Sequence, residues 1–386
     1  MTIVLTGGGS GGHITPVLAV ADALKQIDSR TTIIYVGQKG DSLGDIPLKD
    51  PNIDRVYTVR AGKFRRFHGE GLRQLLDLKV LFLNVRDLFY VVIGTFQSWR
   101  LMRRLNPDIV FSRGGFVSVP VTIGAKLNGI PYITHDSDSI PSLANRLIAR
   151  WARLHAVALD EKLYPYPREK TVKTGIPLNK HFKPINAELQ NKYRSQINIP
   201  KEAKMLFVIG GGLGSQDINH AVADIVPHLL NDYKDLYIVH AAGRINEEEL
   251  RERYKETISD TNQKRLQVFP FLEDVYLYSG AADIVITRAG ATNLAEFEVQ
   301  GKACIIIPSS FLAGGHQLKN ANYLEEQGAA LVLDMDDLVA DPNRLAKSII
   351  SLLNDEQKRS ALSKKFKQLG QPDAAHTIAR LILEQV

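Results

Sequence analysis

The stretch TIVLTGGGSGGHITPVLAVADALKQ, residues 2–26, decides the fold. Its first five residues are β-branched or aliphatic and read as a short buried strand. Five of the six residues 7–12 are glycine, and the segment after Pro16 is apolar at helical spacing. A strand, a glycine turn and a helix N-terminus make an anion site. The first helical N–H groups lack backbone partners, the helix dipole is positive there, and missing side chains let a phosphate come close. His13 stands at the exit of this loop.

Working outward, strands are expected at 31–37, 108–115, 131–136 and 154–159, with helical stretches between them. The pattern restarts after Pro177. KMLFVIGGG (204–212) repeats the strand-into-glycine theme, and further strands are expected at 235–243, 266–271, 282–290 and 302–308. Strands alternating with helices indicate parallel α/β sheets. The expectation is two Rossmann-like domains facing each other across a cleft. The first covers 1–165, joined by a C-terminal helix at 370–386, and the second covers 175–369. The linker is expected within 160–180, where LYPYPREKTVKTGIP collects three prolines.

The chain has 386 residues, 44% apolar and 23% charged, an ordinary globular composition too long for one core. A single cysteine, Cys304, excludes an intrachain disulfide and sits in an apolar run, so a buried core thiol is expected. MTIVLTGGG runs straight into a strand, so no signal peptide is expected. The net charge is +6, and residues 63–104 alone hold nine Lys/Arg against three Asp/Glu. That segment is also very apolar, yet its longest uncharged run, 88–99, is 12 residues, short of the roughly 20 needed to span a bilayer. Two readings stand: a long core helix or helix pair, and an apolar surface with a basic rim resting on an anionic bilayer.

Gly7-x-Gly9-x-x-Gly12 matches the dinucleotide fingerprint, but the second strand ends in Gly37 and Gln38, where that fingerprint wants an acid. A P-loop fails because His13 stands where lysine is required. The acid appears in the second half. TRAGATNLAEFE (287–298) places a turn before a helix, and Glu296 falls about one turn in, placed to accept from two ribose hydroxyls.

Five blocks in order then carry a resemblance: TGGGSGGHITPVLAVADAL, SRGGFVSVPVTIGAKLNGIPYITHDSDSIPSLANRLIAR, GGGLGSQDIN, ADIVITRAGATNLAEFEVQGKACIIIPSSFLAGGHQLKNANYLEEQGAA and LGQPDAAHTIARLI. Together they resemble the MurG family, which transfers N-acetylglucosamine from UDP to a polyprenyl-pyrophosphoryl muramyl-pentapeptide in peptidoglycan synthesis. The resemblance implies the GT-B glycosyltransferase fold, with acceptor on the N-terminal domain and UDP-N-acetylglucosamine on the C-terminal domain. It implies that the last helix returns to the N-terminal domain.

It further implies that Ala291, Thr292, Asn293, Leu294, Ala295 and Glu296 line the nucleotide. Gln317 and Asn320 would contact the sugar, and Leu272 would meet uracil through its backbone. Ser10, Gly11 and Gly12 would lie between acceptor pyrophosphate and donor. Departures occur at Asp138, Asn179, Gly212 and Gly315, where the family commonly has asparagine, arginine, serine and aspartate. Arg288, Lys319 and the helix start after Gly290 are candidates to take over diphosphate binding.

No cofactor and no metal are implied, and no nucleic acid is among the partners. Asp136-Ser137-Asp138 has the spelling of a metal-binding Asp-x-Asp, but two carboxylates are few for a hard cation. Transfer to a hydroxyl needs a base. His13 is the candidate, against a purely loop-shaping role, with His135 and His316 as alternatives. The implied location is peripheral, on the cytoplasmic face of the cell membrane. The alternatives are transfer to another lipid acceptor, a UDP-N-acetylglucosamine 2-epimerase, or a non-catalytic paralogue.

Overall fold

The apolar runs become strands because they are buried on both faces, as parallel sheets covered by helices require. The computed structural model describes residues 1–8, 11–41, 43–64, 78–309, 315–341 and 343–386. One sheet contains β1 (Thr2–Thr6), β2 (Thr32–Gln38), β3 (Arg55–Val59), β4 (Ile109–Ser112), β5 (Tyr132–Asp136), β6 (Leu154–Val157) and β7 (Thr171–Lys173). Their order is β3-β2-β1-β4-β5-β6-β7, all parallel.

The second sheet contains β8 (Lys204–Ile209), β9 (Leu236–Ala241), β10 (Leu266–Phe269), β11 (Ile284–Thr287), β12 (Ala303–Ile306) and β13 (Leu331–Val332). It is again parallel, in the order β10-β9-β8-β11-β12-β13. Both sheets reverse direction of growth at their first strand. That places a switch point between β1 and β4 and another between β8 and β11, where open α/β sheets take ligands at the strands' carboxyl ends. Separate apolar layers cover both faces of each sheet, around Phe111 and Tyr132 in the first and around Leu206 and Phe207 in the second. Cys304 is fully buried.

The two compact units are Met1–Lys180 with Gln371–Val386, and His181–Gly370. The first unit therefore runs past residue 165, because β7 is still a strand of its sheet. The helix Ala374–Leu383 belongs to it as well. Ile378, Ala379 and Ile382 are fully buried among Val17, Val20 and Leu24.

The segment 78–105 corrects the core-helix reading. Leu78–Leu105 is one continuous helix, and Val80–Leu105 is long and apolar enough to cross a membrane by length and composition. Its longest uncharged run is 12 residues because Asp87 and Arg100 bound it, and Arg86 and Asp87 pair with each other at 2.8 Å within the helix. The inner face carries Asp87, Gly94 and Ser98, all buried. At Gly94 an added Cβ would lie 1.8 Å from the Arg60 carbonyl oxygen, so only glycine admits this approach. The outer face exposes Phe82, Val85, Leu88, Phe89, Val92 and Phe96. Between 82 and 98 polar and small residues face inward and large apolar ones face out, the reverse of a core helix, while Val80 at one end and Leu101 and Met102 at the other are buried.

Candidate active site

At the first switch point, Thr6 of β1 and Ser112 of β4 are paired in register. Gly7 follows β1 because nothing larger fits. A Cβ there would lie 2.9 Å from the His13 carbonyl oxygen and 3.1 Å from Arg113 Cβ. The Tyr35 hydroxyl donates to the Gly7 carbonyl and ties the loop to β2. The helix Gly11–Ile27 begins immediately after, with Gly12 exposed and His13 half-buried in its first turn. Burial, then the positive charge of Arg113, lowers the His13 pKa to about 4. The imidazole is therefore neutral near pH 7 and able to accept a proton. Ser10 lies outside the described residues.

At the end of β5, His135 is fully buried and its Nε2 donates to the Gly175 carbonyl at 2.8 Å. Desolvation, then Arg113, holds its pKa well below the usual imidazole range. Asp136 is also buried. It accepts from Asn145 Nδ2 at 2.8 Å, from the Ser142 N–H at 3.2 Å and from the Tyr166 hydroxyl at 2.7 Å. The Asp-x-Asp spelling thus contains a latch for the following loop, and no cluster suited to a metal ion occurs among the described residues. Asp138 is half-buried, and Asn179 is exposed near the end of this unit.

The second unit repeats the arrangement. Ile209 of β8 and Thr287 of β11 are paired in register. Gly214 has φ +78°, and a Cβ there would lie 2.1 Å from the Ala242 carbonyl oxygen. Gly212 is exposed and faces open space. Arg288 follows β11, and its guanidinium is committed inside the unit. It donates to Ser215 Oγ at 3.0 Å, Asp217 Oδ2 at 2.6 Å, and the Ile307 and Pro308 carbonyls at 3.2 and 3.1 Å. Arg288 therefore fastens the strand ends together and is not the spare diphosphate ligand considered from sequence. Lys319 is exposed.

The helix Ala291–Gln300 starts at Gly290 with no side-chain cap and no acidic residue in its first turn. Its positive end and free N–H groups suit an anion. Ala291, Thr292 and Asn293 are half-buried. Leu294 and Ala295 are buried in the core beside Phe297, so their side chains are not part of a ligand-lining surface. Glu296 is half-buried and has no hydrogen bond or ion pair among the described residues. Burial alone pushes its carboxyl up to about 8.

Two hydroxyl donors would supply what this carboxylate lacks. Gln317 and Asn320 are buried. Gln317 Oε1 accepts from the Ser309 N–H at 2.9 Å, and Asn320 Nδ2 donates to the Ala289 carbonyl at 3.2 Å. Both amides therefore position the turns beside the helix start. Leu272 has its side chain in the core, leaving its backbone as the group available to a ligand.

Arg113 was missed in the sequence. Its signal was there to read: SRGG (112–115) after β4 parallels TRAG (287–290) after β11.

Comparison with known proteins gives a consistent picture. Residues 3–157 match the model of the glycosyltransferase family 28 N-terminal domain, and residues 205–378 match that of the family 28 C-terminal domain. A UDP-N-acetylglucosamine--N-acetylmuramyl-(pentapeptide) pyrophosphoryl-undecaprenol N-acetylglucosamine transferase of Natranaerobius thermophilus is 33% identical over 99% of both chains. A relative of the same name, numbered 2, from Bacillus thuringiensis subsp. konkukian is 34% identical over 94% of both. Among solved structures, MurG of Acinetobacter baumannii is similar with a TM-score of 0.72 and 25% identity, over 99% of both chains.

Proposed function

This chain belongs to the MurG family within glycosyltransferase family 28, and on that premise we propose how its residues perform the family's reaction. It is a glycosyltransferase that moves N-acetylglucosamine from UDP-N-acetylglucosamine to the undecaprenyl-pyrophosphoryl N-acetylmuramyl-pentapeptide acceptor. The observation that carries the assignment of sites is Glu296, a desolvated carboxyl with no partner among the described residues, one turn into an uncapped helix. In our reading the ribose hydroxyls donate to Glu296, and the diphosphate meets the N–H groups of Ala291, Thr292 and Asn293. Gln317 and Asn320 shape the sugar pocket, and the Leu272 backbone meets uracil.

The reaction is an inverting displacement. The acceptor hydroxyl oxygen bonds to the anomeric carbon, the bond from that carbon to UDP breaks, and the hydroxyl proton passes to a base. Helix N–H groups stabilise the charge developing on UDP. His13 is the base we assign, because it is neutral and stands at the acceptor loop of the first unit.

The acceptor's polyprenyl chain stays in the bilayer, so the enzyme must reach it there. The outward face of the helix Leu78–Leu105 suits this. Phe82, Phe89 and Phe96 are more than half exposed, at 70%, 63% and 56%. Arg100 lies over the Phe96 ring and Arg103 over the Trp99 ring, bringing positive charge to an apolar strip. The inner face is packed on the first unit, so we read the helix as lying in the interface of an anionic membrane on its cytoplasmic side. Arg65 and Arg66 belong to the same basic segment but lie outside the described residues.

The deciding experiment measures UDP release from UDP-N-acetylglucosamine with the lipid-linked acceptor. Transfer dependent on that acceptor is expected, and release with no added acceptor would point to an epimerase or hydrolase instead.

A further inference from the structure

Arg113 and Arg288 hold the same place in the two units. Each is the first residue after the strand that flanks its switch point, paired one residue earlier to the end of the unit's first strand. Their surroundings differ. Arg288 is satisfied by Ser215, Asp217 and two carbonyls. Arg113 is 2% exposed, yet its Nε and Nη2 have no hydrogen-bond partner among the described residues.

Part of the cause lies in sequence. Ser215, which both caps its helix and accepts from Arg288, comes from the second unit's loop. In the first unit the helix opens with Gly11 and Gly12, which have no side chain to offer. The negative charges of Asp138 and then Asp136 act on Arg113, and it forms no ion pair among the described residues. Desolvation lowers the Arg113 pKa to about 10, leaving the guanidinium charged at neutral pH.

A buried guanidinium with two idle donors is costly unless something meets it. Nε–H and the adjacent Nη2–H form one edge of the guanidinium fork, the edge that grips a phosphate or carboxylate with two parallel bonds. Three more buried polar atoms, His135 Nδ1, Ser139 Oγ and Asn145 Oδ1, also lack partners among the described residues. The Asn145 amide lies beside Gly114, where a Cβ would approach it to 3.4 Å.

We propose that Arg113 is the anion-binding residue of the first unit, holding a phosphoryl group of the acceptor's diphosphate by its Nε/Nη2 edge. The proposal rests on the acceptor reading above. It assigns to a side chain in the first unit the charge neutralisation that the glycine loop provides only through backbone N–H groups. Because Arg113 also depresses the His13 pKa, it is a positioning and binding residue next to the assigned base.

The test uses the full chain and inorganic pyrophosphate as probe. Titration of wild-type protein should shift the Arg113 Nε–H resonance downfield, the signal being assigned by its loss in Arg113→Lys. Pyrophosphate affinity should fall at least tenfold in Arg113→Gln and less in Arg113→Lys. With the lipid acceptor, Arg113→Gln should raise the acceptor KM at least tenfold while UDP affinity stays unchanged.

An unshifted Arg113 signal, or wild-type pyrophosphate affinity in Arg113→Gln, overturns the proposal even if Arg113→Gln folds poorly, since the shift is read on the wild-type protein and Arg113→Lys serves only to assign the signal. A parallel loss of UDP affinity would assign the residue to the donor and overturn it too. Absence of transfer by the wild type would sink the acceptor reading alone, and the pyrophosphate result would still decide whether Arg113 binds anions.

Discussion

Glu296 is held in a state its ligand would reverse. Its carboxyl, moved from 4.5 to about 8 by burial, is mostly protonated at pH 7. The folded chain keeps a proton that the unfolded chain sheds above about 4.5. Its contribution to stability is therefore full below that pH and is lost as pH rises through about 8. Ribose hydroxyls favour the carboxylate, so binding UDP should release a proton. Calorimetry in buffers of different ionisation enthalpy should show this release in the wild type and not in Glu296→Gln, whose comparison removes the proton changes of UDP itself. Glu296→Ala should bind UDP at least tenfold more weakly, the size of one charge-assisted hydrogen bond. Equal affinity would reject the assignment.

His13 gives the second residue-scale test. As a base it must be neutral, and with a pKa of about 4 in the free protein the acid limb of kcat/KM should lie near that pH rather than near 6.5. An anion on Arg113 would offset the charge that depresses His13, so the acid limb of kcat should sit higher than that of kcat/KM. His13→Ala should cut kcat roughly a hundredfold with UDP affinity intact. Near-normal turnover would make His13 a loop-shaping residue.

At the scale of elements, the helix Leu78–Leu105 exposes its apolar side, with Phe82, Phe89 and Phe96 uncovered among the described residues. Replacing Phe82, Phe89 and Phe96 with serine removes rings that are more than half exposed, so thermal stability should hold within about 1 kcal/mol per site. Co-sedimentation with anionic vesicles should drop sharply, and that of the wild type should weaken in neutral vesicles and at high salt. Unchanged sedimentation of the triple variant would place the membrane contact elsewhere. The strands not anticipated from sequence, β3, β7 and β13, share a physical cause. All three are sheet edges, short and partly exposed, and so lack the continuous apolar run that betrays a central strand.

At the scale of the whole molecule, the chain leaves its first unit at residue 180 and returns at 371. The returning helix is integral to the first core. Ile378 is fully buried there, so Ile378→Asp puts an unpaired charge among aliphatic side chains and should destabilise the first unit by about 3–5 kcal/mol. The second unit has its own core, so UDP affinity measured below the new transition should stay at the wild-type value. A matching loss of UDP binding would mean that the two units do not fold as separate cores.

The sequence by itself determined the parallel α/β class, the two glycine loops after first strands, and the place of Glu296 one turn into the helix after β11, because each is written in local pattern. Buried central strands are continuous apolar runs, tight turns demand glycine, and a helix start has a fixed relation to the strand before it. It also contained the SRGG and TRAG pair, which local pattern makes visible but does not interpret. Only the tertiary structure decided that Arg288 is consumed by Ser215 and Asp217 while Arg113 is not, because hydrogen-bond satisfaction depends on residues 71 to 73 positions away in the chain. It likewise decided which side of the helix Leu78–Leu105 faces out. Periodicity defines two faces of a helix, but the close approaches at Gly94, at Asp87 to Gly62 and at Ser98 to Gly124 fix the small, polar one inward and leave the aromatic one exposed.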